Sequence, residues 1–158
     1  MIEVVTVSDR PTLWFGSAPS EHGGEPRGEG LKSGADPVPR KILIVEDEFF
    51  IALDAQTQVE ALGHTVVGVA VSADQAVMMA EREKPDLVLM DIRLSGARDG
   101  IDAAIEIRDR HGIASIFVTA NTDPVTLQRA QSTNPLGILH KPLTQARLRQ
   151  QLSQIEWK

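Results

Sequence analysis

The sequence predicts an α/β protein: a doubly wound, five-stranded parallel sheet with five helices packed on its two faces. Two observations lead to this prediction. From residue 41 onward, short runs of apolar and β-branched residues alternate with segments whose apolar residues recur at helical spacing. Several of the strand-like runs are also almost entirely apolar, as expected of strands covered by helices on both sides. Strands that alternate with helices form parallel sheets, and their crossovers are almost always right-handed.

Five short runs are predicted to form the strands. The runs KILIV and LVLM contain no polar residue apart from the leading lysine, and the second of them leads directly into Asp91. Each run is bounded by a turn signal or by a helical pattern, which fits the length of a strand better than that of a buried helix. The predicted strands are Lys41–Val45, His64–Ala70, Leu87–Met90, Ser115–Thr119 and Leu136–Leu139.

The first two helices are predicted from periodicity and from start and stop signals. Gly63 ends the first helix. Ser72 with Gln75 three residues later is a capping-box signature, and it opens a second helix that runs to about Glu83 and ends at Pro85. The apolar positions that indicate the first helix are Ala52, Ala55, Val59 and Leu62.

The other three helices are predicted from similar signals. A loop over residues 95–99 precedes the third helix. Asp123 is the predicted cap of the fourth helix and Pro124 its first residue, a position where proline loses no hydrogen bond. The third helix is marked by Ile101, Ala104, Ile105 and Arg108, and the last by Leu148, Leu152 and Ile155.

Composition limits the class of protein. The chain has 158 residues, 42% of them hydrophobic and 24% charged, which is typical of one globular domain. It has no cysteine, so disulfides and thiolate metal sites are excluded. No apolar run approaches the ~20 residues of a membrane helix, and no signal peptide is recognisable, so we expect a cytoplasmic protein without a membrane partner. The net charge of −6, without a basic cluster, argues against nucleic acid as a partner.

A change of composition near residue 40 indicates two parts. Residues 16–40 are rich in glycine, proline, serine and charge, and such a stretch buries too little apolar surface to offset its ordering entropy. We therefore predict a flexible N-terminal extension over residues 1–40 and a folded domain over residues 41–158. The Trp14–Phe15 pair near the start is interpreted as part of an untethered tail, with a docking segment as the alternative.

The ends of the predicted strands carry the candidate functional residues. In open α/β sheets, ligands bind beyond the carboxyl ends of the strands. This rule brings together the carboxylates that follow the first and third strands, a hydroxyl and an ammonium group in one crevice. The residues concerned are Glu46–Glu48 after the first strand, Asp91 after the third, Thr119 at the end of the fourth, and His140–Pro142 after the fifth.

Such a group of side chains is suited to phosphoryl transfer. Crowded carboxylates disfavour ionisation unless a cation is near, and Mg²⁺ prefers oxygen ligands. No set of histidines accompanies them, which argues against a zinc or iron site. A carboxylate can attack phosphorus to form an aspartyl phosphate. Lys141 offers a positive charge and Thr119 a hydroxyl donor for the phosphoryl oxygens.

The pattern resembles the receiver domains of bacterial two-component response regulators, of the CheY-like, single-domain type. The resemblance covers essentially all of residues 41–155 and implies a flavodoxin-like sheet of strand order 2-1-3-4-5. Each motif alone has low specificity, but five of them in this order form a strong signal. The motifs are VEDE at Val45–Glu48, LVLMDIRL at Leu87–Leu94, DG at Asp99–Gly100, VTA at Val118–Ala120 and KP at Lys141–Pro142.

The resemblance assigns a role to each site residue. Asp91 is expected to be the phosphoacceptor. Asp47 is the expected direct ligand of Mg²⁺ and Glu46 its outer-sphere partner, with Asp91 and the backbone carbonyl of Arg93 also facing the ion. The other expected features of the site are Thr119 as switch hydroxyl, Lys141 as phosphate-binding lysine, and a cis Lys141–Pro142 peptide bond.

One position departs from the family pattern. Relatives often carry an aromatic residue three positions before the lysine, where this chain has Ile138, so the usual relay from threonine to aromatic ring is in doubt. Arg93 and Asn121 flank the site at positions that tune dephosphorylation in relatives. His140 is interpreted as an incidental neighbour of Lys141 rather than as an acid or base.

We therefore predict a stand-alone, non-enzymatic receiver that takes a phosphoryl group from a histidine kinase or a histidine phosphotransfer protein. No effector module follows the last helix, so output is expected through a protein target, with a homodimer through the fourth helix, fifth strand and fifth helix as a further possibility. Two alternatives stay open: a degenerate receiver that binds partners without phosphorylation, and an aspartate-nucleophile phosphohydrolase. The GxGxxG and GxxxxGK[ST] motifs of nucleotide-binding modules do not occur after the first strand.

Overall fold

A computed structural model describes residues 38–120 and 123–158. The predicted N-terminal arm up to residue 37, the Trp14–Phe15 pair and Asn121 lie outside these residues. Strands and helices alternate along the described chain, as the sequence predicts. In chain order they are β1 (Lys41–Val45), α1 (Phe49–Ala61), β2 (Thr65–Ala70), α2 (Ala73–Glu83), β3 (Leu87–Asp91), α3 (Gly100–His111), β4 (Ser115–Thr119), α4 (Pro124–Ser132), β5 (Gly137–His140) and α5 (Gln145–Ser153).

The five strands form one parallel sheet in the order β2-β1-β3-β4-β5. The doubly wound, flavodoxin-like fold and its strand order are thus confirmed. The order changes direction between β1 and β3, because β2 lies on one side of β1 and β3 on the other. In this fold class the crevice at such a switch point binds ligands, and here it lies at the carboxyl ends of β1 and β3.

Both faces of the sheet are buried, each against its own set of helices. Alternate residues of β1 point to opposite faces: Leu43 and Val45 join the cluster under α2, α3 and α4, whereas Ile42 and Ile44 join the cluster under α1 and α5. Every residue of β3 is buried. This explains why the run is continuously apolar up to Asp91.

Two edge strands begin one residue later than predicted. β2 starts at Thr65, because His64 turns inward before the strand and its Nδ1 accepts a hydrogen bond from the Arg40 backbone N–H at 3.2 Å. β5 is Gly137–His140 instead of 136–139. Both strands have a neighbour on one side only and are mostly half-buried, so their apolar patterns define their ends less sharply than those of the central strands.

The helix caps confirm most of the predicted start signals. The Ser72 hydroxyl accepts from the Gln75 N–H, but the Gln75 side chain returns to the N–H of Val71 rather than to that of Ser72. Asp123 caps α4, with proline as its first residue. A full capping box that sequence reasoning missed opens α3: the side chains of Asp99 and the residue three positions later each accept from the other's backbone N–H.

No helix within the described ranges is both long and apolar enough to cross a membrane. At the amino ends of the strands, Trp157 packs against the apolar cluster under α1 and α5. The guanidinium carbon of Arg40 lies 4.7 Å from the centre of the Trp157 ring, a cation–π contact. The first residues before the sheet and the last residues after α5 therefore meet at this edge.

Candidate functional site

The carboxyl ends of β1 and β3 bring three carboxylates into one cluster. Glu46, Asp47 and Asp91 each offer a carboxylate oxygen, and these oxygens all lie within 4.8 Å of one another. Glu46 and Asp91 are buried, whereas Asp47 is half-exposed. A set of oxygen donors at this spacing, partly open to solvent, fits a hard cation such as Mg²⁺.

The ammonium group of Lys141 lies in the same cluster. Its Nζ is 2.6 Å from Glu46 Oε2 and 3.2 Å from Asp91 Oδ2. The Lys141 backbone N–H donates to the carbonyl of Thr119 at 2.8 Å, which ties the end of β5 to the end of β4. The Lys141–Pro142 peptide bond is cis, as the resemblance implies.

The surroundings shift the pKa values of Asp91, Lys141 and Asp47. Burial and the charge of Glu46 raise the pKa of Asp91 to about 6, although Lys141 opposes this. Burial lowers the pKa of Lys141. Glu46 and Asp91 oppose this effect through hydrogen bonds and negative charge, and the pKa of Lys141 lies above its ordinary value as a result. Burial raises the pKa of Asp47, but hydrogen bonds from Ser95 outweigh it, so the pKa lies below its usual range.

The loop after β3 holds two of these carboxylates in place. The Arg93 N–H donates to Asp91 Oδ1 at 3.2 Å. Asp47 Oδ2 accepts from the Ser95 hydroxyl at 2.7 Å and from the Ser95 N–H at 3.2 Å. Sequence reasoning missed Ser95: the residue is visible only as the start of a predicted loop, and its partner is 48 positions away. The Ser95 contacts fix the direction in which Asp47 points.

Gly100 packs directly against the backbone of Asp91. A Cβ atom at this position would lie 1.8 Å from the Asp91 carbonyl oxygen, so only glycine fits. The Gly100 N–H donates to the carbonyl of Ile92 at 2.8 Å. The first residue of α3 therefore packs directly against the backbone that carries Asp91, a role that the DG motif alone does not specify.

The structure places the remaining predicted residues as follows. Thr119 is buried at the end of β4 and pairs in register with His140, whose side chain is exposed. Ile138 pairs with Phe117 and packs against the cluster under α2, α3 and α4. The individual roles of Thr119, of the Arg93 carbonyl and of the other site residues stay predictions.

A groove of about 460 Å³ leads from the site across the start of α1. It joins Asp91 and Lys141 to apolar residues of α1 and of the segment after β5. Its outer wall includes Phe50, whose side chain is 80% exposed. Asp91 is therefore buried yet approachable from one side.

Comparison with known families decides the class. The family model described as the response regulator receiver domain matches residues 42–153, well over half of the chain. The chain belongs to the response-regulator receiver family. The predicted resemblance is thereby confirmed, and the partly buried acidic cluster of the receiver fits the Mg²⁺ chemistry of two-component signalling.

Three similar proteins illustrate the match. The transcriptional regulatory protein PdtaR of Mycobacterium tuberculosis is 38% identical over 107 residues, which are 68% of this chain and 52% of that protein. The signal receiver domain of a modulated diguanylate cyclase from Desulfovibrio desulfuricans superposes with a TM-score of 0.70 at 36% identity, covering 73% of this chain and 92% of the other. A mutant of the anti-anti-sigma factor PhyR from Bartonella quintana superposes with a TM-score of 0.62 at 34% identity, covering 74% of this chain and 48% of the other.

The chain spans about half the length of PdtaR and PhyR, two of the curated relatives it matches. The rest of each of these proteins lies outside the similarity. The comparison therefore concerns the receiver fold and its site, and not the activity of whole proteins.

Proposed function

We propose that the receiver accepts a phosphoryl group on Asp91 from a histidine kinase or a histidine phosphotransfer protein, and that it signals through a protein partner. The observation that carries the proposal is the position of Asp91: it is buried, contacts Lys141 Nζ at 3.2 Å, and borders an open groove. The carboxylate is thus accessible to a donor from one side and held by a cation on the other. We assign this role to the folded part over residues 41–158.

In the proposed step, an Asp91 carboxylate oxygen attacks the phosphorus of phosphohistidine. The new O–P bond forms as the P–N bond breaks, and the imidazole nitrogen takes the electron pair of that bond. Lys141 neutralises charge on the phosphoryl oxygens, and Thr119 donates a hydrogen bond to one of them. No further nucleophile is needed, so the protein contributes mainly position and charge.

The acidic cluster is suited to hold Mg²⁺ during this step. Asp47 and Asp91, with the Arg93 carbonyl, would be its ligands and Glu46 its outer-sphere partner. When bound, the ion would neutralise the carboxylates and the phosphoryl oxygens. The hydrogen bonds from Ser95 support this assignment, because they keep Asp47 ionised and oriented.

The start of α1 offers a surface for the phosphodonor protein. Phe49 and Phe50 are 72% and 80% exposed, and Leu53 one turn later is 49% exposed. The two rings contact each other edge to face, with centroids 5.3 Å apart. Exposed aromatic residues grouped beside a reactive carboxylate are typical of a protein interface.

The proposal is tested with acetyl phosphate and Mg²⁺. We expect about one phosphoryl group per wild-type chain, sensitive to hydroxylamine as an acyl phosphate is, and none on Asp91→Asn, since an amide oxygen is a far weaker nucleophile than a carboxylate. Asp109→Asn is the matched control, because Asp109 is exposed on α3 and away from the site. Stoichiometric labelling of Asp91→Asn by intact mass spectrometry would contradict the assignment.

A second candidate is a receiver that binds its partner without phosphorylation. Two observations favour it: Ile138 stands where an aromatic residue is frequent in the family, and a similar solved structure carries the name anti-anti-sigma factor. Once a partner is isolated, its affinity for the wild type, with and without phosphorylation, separates the two candidates. Equal affinities would favour the phosphorylation-independent module. The predicted homodimer through α4, β5 and α5 is examined in the same experiment by light scattering.

A further inference from the structure

Helix α4 buries little apolar surface against the rest of the receiver. Ala130 is its one buried residue among the nine, and it contributes little apolar surface. Val125 is 76% exposed, so the first turn is not anchored by burial either. An element with so little buried apolar area is expected to open or shift at low cost. The contacts that do hold α4 therefore determine its position.

Arg129 makes the most extensive of these contacts. Its Nη1 donates to Asp99 Oδ2, and its Nη2 lies 2.5 Å from Asp102 Oδ1 and 3.3 Å from Asp99 Oδ1. The guanidinium thus bridges both carboxylates of the capping box of α3. Each of those carboxylates also accepts a backbone N–H at the start of α3. Arginine suits this role because its planar group presents several donors at once.

The capping box connects Arg129 to the phosphoacceptor. Asp99 directly precedes Gly100, the residue that packs against the Asp91 carbonyl and bonds to Ile92. A displacement of the backbone at Asp91 therefore reaches Asp99 without any flexible side chain in between. From there Arg129 transmits it to α4.

A second arginine, Arg108 of α3, binds the carboxyl end of α4, next to the last turn that carries Arg129. Arg108 Nη1 donates to the carbonyl of Thr133, the C-cap residue, and lies 3.3 Å from the carbonyl of Asn134. These are terminal carbonyls that have no partner within the helix, so a cation there is favourable. Arg108 and Arg129 together make the position of α4 depend on α3.

We propose that Arg129 is a positioning residue that couples α4 to the Asp91 site and favours the arrangement in which Lys141 binds the free Asp91 carboxylate. The inference rests on the proposed function. Phosphorylation converts that carboxylate to an acyl phosphate and changes what Lys141 binds. Since Ile138 replaces the aromatic ring expected on β5, the route through Gly100, Asp99 and Arg129 connects site and helix by contacts that need no such ring.

This coupling has a thermodynamic consequence. A contact that is stronger in one of two arrangements shifts their populations, and any ligand that prefers the other arrangement then binds more weakly. Removing Arg129 should therefore make a phosphoryl analogue bind more tightly at Asp91. The bridge is partly exposed, so we expect roughly a two- to fivefold effect, the range of exposed ion pairs.

The test measures binding of beryllofluoride with Mg²⁺ to the full chain, by calorimetry, together with amide hydrogen exchange of residues 127–132. Arg129→Gln removes the cation, and Arg129→Lys keeps the charge but loses the fork that reaches two carboxylates. Arg110→Gln is the matched control, because Arg110 is also half-exposed and also bridges two carboxylates, those of Glu81 and Glu106.

We expect faster exchange in α4 and tighter beryllofluoride binding for Arg129→Gln, an intermediate affinity for Arg129→Lys, and no change for Arg110→Gln. Faster exchange with unchanged affinity would make Arg129 a structural contact only and overturn the proposal. Weaker binding would also overturn it. A wild type that binds no beryllofluoride at Asp91 would refute the proposed function itself, and with it this inference, so the two failures are distinguishable.

Discussion

Asp91 is subject to opposing electrostatic effects. Burial and Glu46 favour its neutral form, whereas Lys141 and the Arg93 N–H favour its charged form. The result is a pKa of about 6, so most of the side chain is ionised at neutral pH. The proposed phosphoacceptor role needs the carboxylate, and this balance keeps Asp91 largely in that form while it stays buried.

Gly100 is a residue whose substitution has a clear expected outcome. Gly100→Ala would place its Cβ 1.8 Å from the Asp91 carbonyl oxygen, which is backbone and cannot rotate away. We expect a loss of about 2–3 kcal/mol in the free energy of unfolding, as in other overpacked sites, together with slower labelling by acetyl phosphate. Urea denaturation and labelling rates measure the two effects.

Gly68→Ala is the control for this prediction. The Cβ it introduces would lie 2.2 Å from Met79 Cε, the mobile end of a flexible side chain. That atom can move aside, so the loss of stability should be smaller and the labelling rate unchanged. If both variants lost the same free energy of unfolding, the close contact between Gly100 and the Asp91 backbone would not be what makes Gly100→Ala destabilising.

At the scale of single residues, the sequence predicts which residues form the site but not all of their contacts. Glu46, Asp47, Asp91 and Lys141 follow from the rule that parallel strands place their carboxyl ends at one edge. Ser95 and Arg129 do not follow, because they are polar residues of a loop and an exposed helix face. Many partners are sterically possible for such residues, and only the folded backbone selects one.

Helix α1 packs on the sheet, yet it buries small side chains and exposes its largest ones. Its buried residues are small, Ala52 and Ala55 with Val59, whereas its largest apolar side chains near the start face solvent. A helix that exposes two phenylalanines does not use them for its own stability. The exposure of these two rings supports the proposed role of the start of α1 in docking a phosphodonor protein.

The docking role predicts a difference between two phosphodonors. Phe50→Ala should slow phosphotransfer from a cognate histidine kinase by about tenfold, because truncation of an aromatic anchor typically costs more than 1 kcal/mol of binding. Labelling by acetyl phosphate, which needs no protein surface, should change little. Rapid-quench measurements with both donors provide the comparison.

Met78→Ala is the matched control for Phe50→Ala. Met78 is 56% exposed on α2, so it tests the loss of an exposed apolar side chain elsewhere. It should leave both rates unchanged. If Phe50→Ala slowed phosphorylation by the kinase and by acetyl phosphate alike, its effect would lie in the site itself, and this result would argue against docking.

The boundaries of the elements depend on burial. The central strands β1 and β4 begin and end where predicted, and β3 extends by one residue to Asp91, because both faces of these strands are covered and their apolar runs are sharp. The start of β2 is shifted by the inward turn of His64, a tertiary contact with Arg40. The capping box of α3 escapes the usual signature since aspartate stands where glutamate or glutamine is expected.

At the scale of the whole receiver, the buried carboxylates of the described residues lie together at one edge of the sheet. Three carboxylates and one lysine meet at the carboxyl ends of the strands, and the repulsion among the carboxylates opposes folding there. A cation that binds this cluster only in the folded state must stabilise the whole molecule by linkage.

Mg²⁺ should therefore raise the stability of the receiver. At a hundredfold excess over its Kd, the gain in free energy of unfolding would be about 2.7 kcal/mol. Thermal unfolding at matched ionic strength measures it. Asp47→Asn, which retains an oxygen for Ser95 but loses the charge, should lose most of the gain, whereas Asp109→Asn should keep it. Equal gains in all three proteins would point to a general salt effect and away from the cluster.

At the opposite edge, Arg40 stacks on Trp157 beside the end of the chain. Lys158, next to Trp157, thus lies on the side of the sheet opposite to Asp91 and the exposed phenylalanines of α1. A biosensor surface or an affinity resin joined through Lys158 would present the reactive crevice outward. Immobilised in this orientation, the receiver would leave exposed the face that we propose for docking of a phosphodonor protein.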